Sequence, residues 1–215
     1  MRYFIANWKA NKSLDETLQW IDIFLKLPSR YDRIKIVICP PFHLIYPLKL
    51  KLKQNTFISL GAQNISSFES GSYTGEVTAK SLHGLVDYTI IGHSERRKYF
   101  TEDNETLSKK TRLAKKYGIE PIYCMRGEKD AIPVEVQIIA YEPIGSIGSG
   151  MNESVEKVLE MKKKLNLPEQ NSFLYGGSVD KNNAPTYLES AEINGFLIGG
   201  ASLNPSEFYD IVSLT

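Results

Sequence analysis

The 215-residue sequence contains only two cysteines, Cys39 and Cys124, and each lies inside an apolar run. That usage and spacing exclude a disulfide framework and a cysteine-based zinc site. Charge of one sign is also lacking: 26 Lys and Arg stand against 25 Asp and Glu, a net charge of +1. No global field therefore draws the chain onto nucleic acid or an anionic membrane. The basic stretch that includes Lys109, Lys110, Arg112, Lys115 and Lys116 is interleaved with Leu107, Leu113 and Ala114 and flanked by Glu102, Asp103 and Glu105. It reads as a solvated helix face, not a nucleic-acid contact. No window approaches the ~18 apolar residues of a spanning helix, and the apolar stretch after Met1 is too short for a secretory signal. The expectation is a cytoplasmic, reducing location. No metal cluster, Walker loop or dinucleotide fingerprint is present. Nor does any Pro-, Gly- or Ser-rich linker or fixed-period repeat divide the chain, so residues 1–215 read as a single domain.

What is present is a core of ordinary size, with 42% hydrophobic and 24% charged residues. Short runs rich in β-branched and aromatic residues alternate with stretches of helical period. The strand candidates are 3–7, 34–39, 57–63, 88–92, 120–124, 137–141, 173–176 and 195–198. Continuous apolar strands suit a sheet buried on both faces, and eight of them with helices between close a (β/α)8 barrel. A doubly wound open sheet is the alternative. Ser13 and Glu16 have capping-box spacing, and Leu14, Leu18, Ile21 and Leu25 are expected on the buried face of the helix they open. Similar helices are expected after Asn104, Glu153, Asn182 and Pro205. Between strands five and six, the residues from Met125 to Val136 are few and include Gly127 and Pro133, so the fifth outer helix is expected to be missing or reduced. Val134, Val136 or Ile138 would then face outward.

In such a barrel the chemistry sits at the carboxyl ends of the strands. Strand one ends in Asn7-Trp8-Lys9, strand four in Gly92-His93-Ser94-Glu95 and strand six in Tyr141-Glu142-Pro143. Glu142 suits a general base that removes a carbon-bound proton beside a carbonyl, next to a Gly- and Ser-containing segment able to close and exclude water. The structural alternative is a carboxylate that caps a turn or pairs with Lys9 or an arginine. His93 precedes a polar stretch able to begin a helical turn with amides pointing at the ring, which suits a neutral imidazole donating to a carbonyl. The alternative is a satisfied structural histidine, the reading given to His43 and His83. Lys9 supplies fixed positive charge, and Asn7 an amide able to hold that lysine or a substrate oxygen. Gly148, Ser178, Gly199 and Gly200 offer backbone amides for a phosphate, although an isolated glycine pair more often only makes a turn.

Asn7-Trp8-Lys9, Gly92-His93-Ser94-Glu95-Arg96-Arg97, Ala140-Tyr141-Glu142-Pro143, Ile147-Gly148-Ser149-Gly150, Tyr175-Gly176-Gly177-Ser178 and Gly199-Gly200-Ala201-Ser202-Leu203 occur in this order along nearly the whole chain. The set resembles the triosephosphate isomerase family. The resemblance implies a TIM barrel and an isomerase of glycolysis and gluconeogenesis that interconverts dihydroxyacetone phosphate and D-glyceraldehyde 3-phosphate through an enediolate, with no metal or organic cofactor. It implies Glu142 as base, His93 as electrophile, Asn7 and Lys9 as substrate contacts, and phosphate binding at Gly148, Ser178, Gly199 and Gly200. It also implies a homodimer through the loop 64–77, which begins at Asn64, ends at Val77 and contains Phe68 and Tyr73. An ordered loop folded on its own barrel stays open as the alternative. The chain departs from the family pattern at Gly145 and Met151 in the expected lid, where the family has tryptophan and lysine, and at Ala10, where methionine is common. A different phosphate-binding barrel enzyme and a non-catalytic barrel remain the rival functions.

Overall fold

The computed structural model describes residues 1–28, 33–145 and 152–214. Eight strands close in sequence order into a parallel barrel: β1 (Arg2–Asn7), β2 (Ile34–Cys39), β3 (Ile58–Ala62), β4 (Tyr88–Ile91), β5 (Glu120–Met125), β6 (Ile138–Tyr141), β7 (Ser172–Tyr175) and β8 (Gly195–Ile198). Closure is made by β1 on β8, with Tyr3 opposite Gly195 and Ala6 opposite Ile198. The open doubly wound sheet is thereby excluded.

Because side chains alternate across a strand, each apolar run supplies two packed layers at once. Ile5, Val37, Cys39, Ile90, Ile122, Cys124, Ile138, Ala140, Leu174 and Leu197 fill the barrel interior. Their neighbours, among them Phe4, Ile36, Ile38, Ile91, Tyr123, Ile139 and Phe196, face the surrounding helices. The two cysteines are interior filling, and burial pushes the thiols of both Cys39 and Cys124 far above the usual range.

The helices are α1 (Leu14–Phe24), α2 (Phe42–Lys51), α3 (Ala79–Leu82), α4 (Ser94–Tyr99), α5 (Asn104–Lys116), α6 (Val155–Leu165), α7 (Ala184–Leu188) and α8 (Pro205–Val212). The capping box that opens α1 is formed, with Ser13 Oγ accepting from Glu16 N–H and Glu16 Oε2 from Ser13 N–H. Its buried face, however, is Thr17, Trp20, Ile21 and Phe24, while Leu14 and Leu25 are exposed. The aromatic residues set the rotation. Trp20 packs 5.1 Å from Trp8 and 4.9 Å from Phe24, and its Nε1–H donates to Ser202 O at 3.1 Å. Burying such a ring stabilises by about 3 kcal/mol, more than a partly covered leucine returns.

Helix α2 was not legible in the sequence. It starts after Pro41 without a side-chain cap, contains Pro47, and is apolar on several sides, so no single helical stripe stands out. The connection 126–137 contains no helix, as expected. Of the three residues expected there, Val134 is left open at 96% exposed, while Val136 and Ile138 are buried. The loop turns back on itself at Val136, whose N–H donates to Pro133 O at 3.1 Å, and Tyr123 Oη–H donates to Ala131 O at 2.8 Å.

Candidate active site

Strand ends deliver the polar groups to one mouth of the barrel because every run stops at the same level of a parallel, twisted sheet. Asn7, Lys9, His93, Glu142, Ser178, Gly199 and Gly200 line a single cleft of about 370 Å³, together with Gly176, Gly177, Val179, Leu197 and Ala201. Asp180 and Glu207 border it as well. Gly148, the remaining residue singled out from the sequence, lies outside the described residues, as do 146–151 of the expected lid. The described start of that segment has Ile144 85% exposed and Gly145 at φ +100°.

Glu142 follows β6 and is 1% exposed. Its backbone N–H donates to Met125 O at 2.8 Å, which fixes it against the end of β5. Its Oε2 accepts from the Ser94 backbone N–H at 2.7 Å. Its Oε1 lies 2.9 Å from His93 Nε2. A carboxylate so deeply buried that faces an imidazole in a cleft is a candidate for function. Gly176 makes room for it, since a Cβ there would stand 3.0 Å from Glu142 Cγ.

His93 caps α4, and its Nδ1 accepts from the Glu95 backbone N–H at 3.3 Å. With the lone pair committed at Nδ1, the ring proton belongs on Nε2, which faces Glu142 and the cleft. His43 and His83 do not line the cleft.

Lys9 adopts a left-handed backbone, φ +52°, rare for a residue with a long side chain. Two neighbours over-determine it. Gln63 Nε2–H donates to Lys9 O at 2.8 Å and to Cys39 O at 2.9 Å, and Lys9 N–H donates to Asn7 Oδ1 at 3.3 Å. Asn7 therefore holds the lysine through its carbonyl oxygen, not by donating its amide. Lys9 Nζ pairs with Glu95 at 2.6 Å and not with Glu142, so of the structural alternatives for Glu142 the lysine pair is absent while the cap on Ser94 N–H is formed.

Glu95 and Gln63 are functional-site residues that the sequence reading did not single out. The signal for Glu95 was its place two residues after His93, inside the same strand-end motif. For Gln63 it was the polar end of the third apolar run. Among the described residues no group of three His, Cys, Asp or Glu is placed to hold a metal ion, and no helix is long and apolar enough to cross a membrane.

The sequence model described as triosephosphate isomerase matches residues 2–215. The chain belongs to the triosephosphate isomerase family. Its relatives include a triosephosphate isomerase of Dictyoglomus thermophilum, 37% identical over 96% of both chains. That of Aquifex aeolicus is 36% identical over 98% of both, and that of Gloeothece citriformis 35% identical over 97% of this chain and 96% of its own. The barrel and its cleft are thus those of an isomerase family.

Proposed function

We propose that this chain interconverts dihydroxyacetone phosphate and D-glyceraldehyde 3-phosphate, the triose-phosphate isomerisation of glycolysis and, in reverse, of gluconeogenesis. The observation that carries the reading is the meeting of Lys9, His93 and Glu142 in one cleft of about 370 Å³ that also holds the glycine-rich strand ends. That volume is near the small end of the ~300–1,000 Å³ of ligand pockets, suited to a three-carbon phosphate.

Glu142 Oε1 takes a proton from the carbon beside the carbonyl. Electron density moves to the carbonyl oxygen, where His93 Nε2–H donates and the Lys9 ammonium offsets the growing negative charge. The same carboxyl returns the proton to the neighbouring carbon of the enediolate, and the hydroxyl proton moves between the two oxygens, so the product differs from the substrate only in which carbon bears the carbonyl. Backbone amides at Ser178, Gly199 and Gly200, and at Gly148, hold the phosphate. Neither a metal nor an organic cofactor enters any step.

We place the protein in the cytoplasm, and as a homodimer through loop 64–77. The rings of Phe68 and Tyr73 stack there at 3.7 Å, both 43% exposed. Such a stacked pair left open to water suits a partner surface.

The deciding experiment is a coupled isomerase assay on the intact protein and on Glu142→Asp, with binding of 2-phosphoglycolate measured alongside. Withdrawal of the carboxylate by one methylene is expected to lower kcat by about 100-fold or more while leaving analogue binding within a few-fold. Equal turnover would remove Glu142 from the mechanism. Tight analogue binding with no isomerisation by the intact protein would select a non-catalytic barrel. Preference for longer sugar phosphates would select a different enzyme.

A further inference from the structure

The connection 126–137 stands where an outer helix is absent, yet its polar anchor is buried. The Asp130 side chain, 8% exposed, accepts three hydrogen bonds from Arg126: from the backbone N–H at 2.8 Å, from Nε–H at 3.0 Å and from an Nη–H at 2.7 Å. The same carboxylate lies 3.7 Å from an Nη of Arg97 on α4. The Arg97 side chain is 3% exposed. A buried guanidinium without a counter-charge is strongly unfavourable, and Asp130 is the carboxylate within ion-pair reach of it among the described residues.

Arg97 also donates to Asn104 Oδ1 at 3.3 Å and to Tyr123 Oη at 3.4 Å, and two of its donors reach backbone that supports the site. Its Nε–H donates to Gly92 O at 2.9 Å and an Nη–H to Cys124 O at 3.1 Å. Gly92 directly precedes His93. Cys124 directly precedes Met125, whose carbonyl accepts from Glu142 N–H at 2.8 Å. The guanidinium therefore clamps two strand ends, one leading into the imidazole and the other holding the carboxylate. At Gly92 the backbone is left-handed, φ +74°, and a Cβ would come within 3.1 Å of the guanidinium and 3.3 Å of Cys124 O. The clamp fits only against a residue without a side chain.

We propose that Asp130 is a positioning residue for the isomerisation. By neutralising and orienting Arg97, it fixes the turn at Gly92 and with it the placement of His93 Nε2 against Glu142, without touching substrate. The short loop in place of the helix thus carries an electrostatic support for the catalytic pair. This rests on the roles of Glu142 and His93 given above.

Three variants test it. Asp130→Asn keeps the shape and removes the charge, Asp130→Glu keeps the charge and moves it, and Glu128→Ala breaks the exposed ion pair of the same loop with Lys164. Asp130→Asn is expected to lower kcat about tenfold and Asp130→Glu about threefold, with KM within twofold in each, and Glu128→Ala to behave as the parent. The ring ¹⁵N resonances of His93, read by NMR on the labelled protein, are expected to move in both position-130 variants and to stay in Glu128→Ala. A folded variant at position 130 with parental kcat and parental His93 resonances would overturn the proposal, even if its melting temperature fell; Asp130→Glu serves if Asp130→Asn does not fold. An equal kcat loss in Glu128→Ala would overturn it as well. Inactive parent protein would overturn the functional reading itself, which these other outcomes leave standing.

Discussion

Lys9 shows at the scale of one residue how function and stability pull apart. Its left-handed backbone, φ +52°, is the kind of strain that costs about 1–3 kcal/mol and persists because Gln63 and Asn7 hold it. The ion pair with Glu95 returns little, since the two side chains are 30% and 39% exposed and water screens them. Lys9→Gly, which relieves the strain and deletes the ammonium, is expected to unfold in urea at a concentration no lower than the parent, with a gain of up to about 1 kcal/mol, while kcat/KM falls by about 100-fold or more. Loss of stability together with activity would mean that the lysine is structural. The sequence displayed Lys9, His93 and Glu142 because each ends an apolar run, where a polar side chain has one place to go. It did not display that Lys9 takes Glu95 as its partner while Glu142 faces His93. That choice depends on the angle at which α4 leaves β4, which no local pattern records.

Elements were legible where their own residues decide them and obscure where neighbours do. The capping box of α1 is a local interaction between Ser13 and Glu16, and it formed as read. The rotation of that helix is a tertiary outcome, set by Trp20 and Phe24 seeking Trp8 and Phe208. Hence Leu14 to Gln, at an exposed position, is expected to change stability by less than about 0.5 kcal/mol, and Ile21→Ala to cost about 2–5 kcal/mol. Ser13→Ala is expected to cost about 1 kcal/mol. Chemical denaturation of the three variants checks the corrected face. The helix-less loop gives a second outcome. Burial alone would push the Asp130 carboxyl up, but the hydrogen bonds from Arg126 and the charge of Arg97 outweigh it and hold the group below its ordinary value. A carboxyl depressed in the folded state stabilises above its unfolded value, about pH 3.9, and loses that contribution as pH falls through the lower folded value. The stability gap between the parent and Asp130→Asn is therefore expected at pH 7 and should shrink below about pH 4. A gap independent of pH would show that the charge contributes nothing.

Barrel closure and self-association belong to the whole molecule, and the sequence speaks to them unequally. Eight two-sided apolar runs call for a sheet covered on both faces, open or closed, and the pairing of β1 with β8 decides for closure. The proposed association depends instead on one loop. Residues 64–77 are tied at the base to their own barrel, with Asn64 Oδ1 accepting from Lys110 Nζ at 2.7 Å, Ser66 N–H donating to Val77 O at 2.8 Å, and Glu69 paired with Lys116 at 2.6 Å and accepting from Tyr117 Oη–H. These ties hold up the Phe68–Tyr73 stack as a preformed apolar knob. Preorganisation lowers the entropy lost on binding, so a small knob can contribute more than its area implies. The same loop lies near the site in the chain's own order of contacts: Gln63, which props Lys9, immediately precedes it. Dissociation should therefore weaken catalysis as well as change mass. Tyr73→Asp, which unstacks the knob and places a charge in the contact, is expected to shift sedimentation from dimer to monomer at micromolar concentration and to lower the specific activity with it. The parent protein should lose specific activity on dilution over the range where its mass falls. A parent that sediments as a monomer at full activity would assign the loop to its own barrel.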